Sequence, residues 1–122
     1  MIRALIADDH AVVRQGLIQI LGNIPEIAVA GEAINGQEVL DKVRAEAWDV
    51  VILDISMPDR SGLDILKQLR SERPKLPVLV LSMHSEDQYA MRVLKAGASG
   101  YLTKDSAPDE LVKAIRKVVS GG

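Results

Sequence analysis

The sequence predicts an open, doubly wound α/β fold: a five-stranded parallel sheet in the order 2-1-3-4-5, with five helices on its two faces. Three observations predict it. Three continuous apolar runs of strand length lack the polar alternation of a sheet wetted on one side, and so read as strands buried on both faces. Segments with helical period lie between the runs, so strands and helices alternate. At 122 residues the chain holds too few such units for a closed barrel, which leaves the open sheet.

In order, Ala4-Leu5-Ile6-Ala7 forms the first strand, and Val13, Leu17, Ile20 and Leu21 then share one face of a helix. Ile27-Ala28-Val29-Ala30 is a weaker second strand, followed by a helix marked by Val39, Leu40 and Val43. Val50-Val51-Ile52-Leu53 precedes a helix carrying Leu63, Leu66 and Leu69. Val78-Leu79-Val80-Leu81 precedes one carrying Ala90, Val93 and Leu94. Ser99-Gly100-Tyr101-Leu102 is the other weak strand, and Leu111, Ala114, Ile115, Val118 and Val119 fit the amphipathic helix pattern after it. The small and polar residues of the second and fifth strands suit the sheet edges. Helix starts are marked by Asn35 with Glu38, Ser61 with Asp64, Ser85 with Gln88 and Ser106 with Asp109, each spaced as a capping box.

One domain is expected from this length, built on Val, Leu, Ile and Ala because Phe is absent and Trp48, Tyr89 and Tyr101 supply all the aromatic rings. The absence of Cys excludes disulfides, thiol catalysis and thiolate metal sites. No apolar stretch approaches the length of a membrane span. Met1-Ile2-Arg3 leads straight into a short apolar run ended by Asp8-Asp9, so the reading is a cytoplasmic protein with no signal peptide and no membrane partner. The formal net charge of -2, with no basic stripe among aromatics, argues against direct nucleic-acid binding. Ser120-Gly121-Gly122 reads as a domain boundary.

In open sheets of this kind ligands bind beyond the carboxyl ends of the strands where the winding reverses, here between the first and third strands. The residues expected on that rim are Asp8-Asp9, Asp54, Ser82, and Thr103 with Lys104. Each alone has an ordinary reading as a solvated charge, a cap or a strand-end hydroxyl. Together they demand more. Asp54 is held in place by the apolar run before it, and like charges beside it are unfavourable without a cation. Hard oxygen ligands on an open rim suit Mg²⁺, which is shared between carboxylates and a phosphate. A carboxylate is also a nucleophile toward phosphorus, and Lys104 and Ser82 can meet the charge on the transferred oxygens. A nucleotide cradle is disfavoured, since acids stand where it needs glycines.

At this point the chain resembles the receiver domain of bacterial two-component response regulators over its whole length. The residues that carry the resemblance are Ala7-Asp8-Asp9-His10, Leu53-Asp54-Ile55-Ser56-Met57-Pro58 with Ser61-Gly62-Leu63, Leu81-Ser82-Met83-His84, and Gly97-Ala98-Ser99-Gly100-Tyr101-Leu102-Thr103-Lys104. The resemblance implies a flavodoxin-like fold over residues 1–122 and phosphorylation of Asp54 by a sensor histidine kinase. It implies Mg²⁺ held by Asp9, Asp54 and the Ser56 carbonyl with help from Asp8, contact of Lys104 with the phosphoryl group, and a switch through Ser82 and Tyr101. The protein would then be no enzyme beyond its own phosphoryl transfer and slow autodephosphorylation, and phosphorylation could drive homodimerisation. The stretch ending at Lys104 is similar to regulators of the LuxR/NarL/FixJ type, which implies a C-terminal helix-turn-helix DNA-binding domain absent from this chain. Asp105 departs from the Pro that often follows the lysine, which puts a cis peptide there in question.

Plainer readings stand beside these. Tyr101 is also an ordinary edge-strand aromatic, His10 opens the first helix in preference to binding metal, His84 tunes water access at most, and Trp48 packs before the third strand. Met57-Pro58 shapes a turn, and Gly62 relieves a close helix approach. Gly97 to Tyr101 fails the serine hydrolase elbow at its last residue. Two rival functions remain: a receiver-like binding module that is never phosphorylated, and an aspartyl-phosphate phosphohydrolase. The latter would need a second acid where Ser56 stands.

Overall fold

The computed structural model describes residues 1–57, 61–82 and 87–121, apart from the side chains of 87–89. Ten elements alternate: β1 (Ile2–Ala7), α1 (Ala11–Gly22), β2 (Ile27–Ala33), α2 (Gly36–Ala45), β3 (Val50–Asp54), α3 (Gly62–Glu72), β4 (Val78–Ser82), α4 (Asp87–Lys95), β5 (Gly100–Thr103) and α5 (Ala107–Val119). The strands form one parallel sheet in the order β2-β1-β3-β4-β5, as the sequence predicts.

The continuous apolar strands feed two cores at once, because successive side chains leave a strand on opposite faces. Leu5, Val51, Leu53, Val78 and Val80 pack with Val39, Leu40, Val43, Ile65, Leu66, Leu69 and Val93, under α2, α3 and α4. Ala4, Ile6, Val50, Ile52, Leu79 and Leu81 pack with Leu17, Leu21, Leu111, Ile115 and Val118, under α1 and α5. Val93 is buried as its period predicts, but Leu94 is 46% exposed, so α4 turns only one edge of its apolar face inward.

The strand bounds differ where the pattern weakens. β2 extends past Ala30 to Ala33, and its register on β1 shifts between Ala4 and Leu5. Gly31 lies under the ring of Trp48, where a Cβ would come within 2.7 Å of the ring. Trp48 packs on the first core, donates Nε1–H to Lys42 O at 2.9 Å, and carries the Arg3 guanidinium 4.9 Å above its ring.

The predicted caps divide. Asn35 Oδ1 accepts from Glu38 N at 2.8 Å, and Glu38 Oε1 in turn accepts from Ile34 N at 3.0 Å. Ser61 and Ser106 precede their helices without a side-chain cap hydrogen bond. Ser106 is itself helical in backbone, at φ -88 and ψ -9, whereas a cap needs an extended residue. Its Oγ turns back to donate to Thr103 O at 3.0 Å. Ser85, Met83, His84, Pro58 and Gly122 lie outside the described residues.

Gly62 begins α3 hard against the turn after β3: a Cβ there would collide with Ile55 O and stand 2.6 Å from Ile55 Cα. Backbone cannot step aside as a flexible side chain does. Gly62→Ala is expected to cost about 2 kcal/mol of stability through overpacking, measured by urea denaturation. An unchanged midpoint would show that α3 can move outward freely.

Candidate functional site

Parallel strands point their carboxyl ends the same way, so the residues that end β1, β3, β4 and β5 meet on one rim. Asp54 is the last residue of β3, 1% exposed, and paired in register with Leu81, so Ser82 lies one step further along β4. Asp8 follows β1 and is also 1% exposed, while Asp9 is partly exposed. Lys104 follows β5, held there by its N–H donating to Ser82 O at 2.8 Å. Every described peptide bond is trans, Lys104-Asp105 included, so Asp at 105 is accommodated without the geometry in question.

The charges converge. Lys104 Nζ stands 3.2 Å from Asp8 Oδ2 and 3.3 Å from Asp54 Oδ2, its side chain only 13% exposed. Asp54 Oδ1 accepts from Ser56 N at 3.0 Å, across a turn that leaves Ser56 exposed. Burial pushes the Asp54 carboxyl above the ordinary Asp value and the Asp8 charge adds to this, against the Ser56 N–H and Lys104. Ser82 is fully buried, and Tyr101 is half-buried against the first core, next to Leu102 in β5.

Two residues that the sequence reading set aside or missed also belong to this rim. His10 Nδ1 lies 3.3 Å from Asp8 Oδ1 and 3.1 Å from Asp9 Oδ1. Arg14 Nη1 donates to Asp8 O at 2.8 Å while its Nε pairs with Glu32 at 3.0 Å, which ties the turn after β1 to α1 and β2. A signal for Arg14 existed, since it is the one charged residue of α1.

The arrangement fits a divalent cation. Asp8, Asp9, His10 and Asp54 each offer a ligand atom within 4.8 Å of the others. Asp8 Oδ2, Asp9 Oδ1 and Asp54 Oδ2 are buried with no aligned hydrogen-bond donor among the described residues, even with Lys104 at ion-pair distance. Buried carboxylate oxygens in that state are costly, and one ammonium does not balance three acids.

Residues 4–116 match the response regulator receiver domain. The chain belongs to that family. Its relatives include the response regulator UvrY of Escherichia coli O6:H1, 42% identical over 121 residues that make up 99% of this chain and 56% of the relative. The DNA-binding transcriptional activator DevR/DosR of Mycobacterium tuberculosis is 39% identical over the same shares. The chain thus spans about half the length of the curated relatives it matches. The signal receiver domain of the regulator assigned as NarL in Mycobacterium tuberculosis superposes with a TM-score of 0.91 at 34% identity, covering 99% of this chain and 98% of that one. A LuxR-family two-component response regulator from Aurantimonas gives a TM-score of 0.92 at 34% identity, over 98% of this chain and 85% of that one. The receiver domain is therefore of the NarL/LuxR type, a signalling protein by family. Among its described residues no helix is long and apolar enough to cross a membrane.

Proposed function

We propose that this receiver domain is a phosphorylation-dependent switch in which Asp54 takes a phosphoryl group from a sensor histidine kinase. The observation that carries the reading is the buried, rigidly placed Asp54 carboxylate, held by Lys104 and facing the acids Asp8 and Asp9. An Asp54 oxygen attacks phosphorus, the P–N bond of the donor phosphohistidine breaks, and the imidazole leaves neutral with the proton on its other nitrogen. Asp8, Asp9, Asp54 and the Ser56 carbonyl are the groups that would hold Mg²⁺, which when bound supplies charge stabilisation at the phosphoryl oxygens. Lys104 sits where it can turn from Asp54 to those oxygens. The new charge draws the Ser82 hydroxyl toward it, and Tyr101 moves into the space behind. Slow attack of water on the acyl phosphate resets the carboxylate, so turnover is self-limited and the domain is no enzyme toward other substrates.

The output in this reading is a C-terminal helix-turn-helix domain that binds DNA, with homodimerisation on phosphorylation as a means of control. The LuxR-type neighbours and a DNA-binding relative about twice this length support it. Residues 1–122 constitute the receiver, in the cytoplasm, where a kinase can reach it.

Incubation with Mg²⁺ and a small acyl phosphate, followed by intact mass measurement, tests the input. One phosphoryl group is expected, none after chelation, and strongly reduced uptake with Asp9→Ala. No mass gain in the parent overturns the proposal.

A further inference from the structure

The β1–α1 turn carries a feature that oxygen ligands alone leave unexplained. His10 occupies the N-cap of α1 yet makes no side-chain cap hydrogen bond to it. Ser, Thr, Asp or Asn at that place would serve the helix better. The imidazole is turned instead toward the acids, with Nδ1 at 3.1 Å from Asp9 Oδ1 and 3.3 Å from Asp8 Oδ1. Its backbone is fixed too, since His10 N donates to Asp8 Oδ1 at 2.8 Å. Next to it are buried carboxylate oxygens with no aligned donor: Asp8 Oδ2, Asp9 Oδ1 and Asp54 Oδ2.

We infer that His10 is a nitrogen ligand of the acidic pocket and tilts its preference from Mg²⁺ toward first-row transition ions. The inference rests on the metal-dependent reading of the site given above. Two ligand atoms on opposite sides of such an ion stand roughly 4.2 Å apart, and the four residues already bring their atoms within 4.8 Å. Only a small adjustment is needed. The ring is 64% exposed, so swinging it onto an ion breaks no packing. Imidazole suits ions late in the first row, whereas Mg²⁺ gains little from a nitrogen donor.

The test compares the parent with His10→Ala, His10→Gln and His84→Ala at mildly alkaline pH. Calorimetric titration with Co²⁺ and Mg²⁺ is expected to show His10→Ala losing about tenfold or more in Co²⁺ affinity while Mg²⁺ affinity holds within about threefold. Pulsed EPR of bound Mn²⁺ is expected to show nitrogen couplings in the parent and in His84→Ala, and none in His10→Ala or His10→Gln. Mg²⁺ binding without nitrogen couplings in the parent, couplings that survive His10→Ala, or equal losses for both ions each overturn the role of His10 and leave the Mg²⁺ site standing. Failure to bind any divalent ion overturns the metal-dependent reading as well.

Discussion

Asp54→Asn is expected to take up no phosphoryl group from any donor and, at neutral pH, to be more stable than the parent. Both effects come from one carboxylate. The amide is not a nucleophile toward phosphorus, so uptake falls to zero and does not merely slow. The gain in stability follows from burial, which raises the Asp54 carboxyl above its ordinary value, and from the nearby Asp8 charge. An acid with a raised folded-state value binds more protons folded than unfolded between the two values. Stability therefore falls as pH rises through that window and stays lowered above it. The Asn variant lacks this slope, and its Oδ1 can still accept from Ser56 N. Denaturation curves should coincide in acid, below the ordinary Asp value, and separate as pH approaches neutral. A mass gain equal to the parent's would move the acceptor elsewhere. Equal stability at neutral pH would mean that Lys104 already compensates the buried charge in full.

Why Asp54 could be singled out from the sequence, while His10 could not, is a matter of which forces leave a periodic trace. Val50 to Leu53 feed both cores in turn, so burial on two faces writes a continuous apolar run that ends visibly at Asp54. Parallel pairing then carries the ends of β1, β3, β4 and β5 to one rim, and Asp8, Asp9, Ser82 and Lys104 come with them. The second half of β2 left no such trace. Gly31 and Glu32 interrupt it, although pairing with β1 continues through Ala33, and the glycine leaves room for the ring of Trp48, distant in sequence. The caps show the same divide: Asn35 bonds locally and was legible, while Ser106 is drawn back to Thr103 by the path of the chain after β5. Arg14 stands out in sequence as the one charged residue of α1, but its bond to a backbone carbonyl six residues upstream is encoded by no spacing of side chains. His10 reads as a helix opener and does stand at the N-cap of α1, while the turn of its ring toward Asp9, at 3.1 Å, is written in no spacing of the sequence.

Lys104→Met tests whether the ion pairs hold the rim together or merely decorate it. The side chain keeps its stem but loses the ammonium that faces Asp8 Oδ2 at 3.2 Å and Asp54 Oδ2 at 3.3 Å. Two carboxylates, each 1% exposed, are then left charged with no cation between them. Removing one partner of such a buried pair costs several kcal/mol; the 13% exposure of Lys104 lets water offset part of this, so a loss of about 3 kcal/mol is expected at neutral pH. Added Mg²⁺ should restore much of it, because a cation that binds only the folded state stabilises by mass action. Acid should do the same, since protonation of Asp54 removes one of the two charges. The double variant Lys104→Met with Asp54→Asn closes a thermodynamic cycle. One lone charge on Asp8 costs less than two facing each other, so the double variant is expected to lose less than the two single effects sum to, with a coupling of at least about 1 kcal/mol. Additivity would show that Lys104 and Asp54 do not sense each other in the folded state. The charge of Lys104 would then act on the phosphorylated form alone.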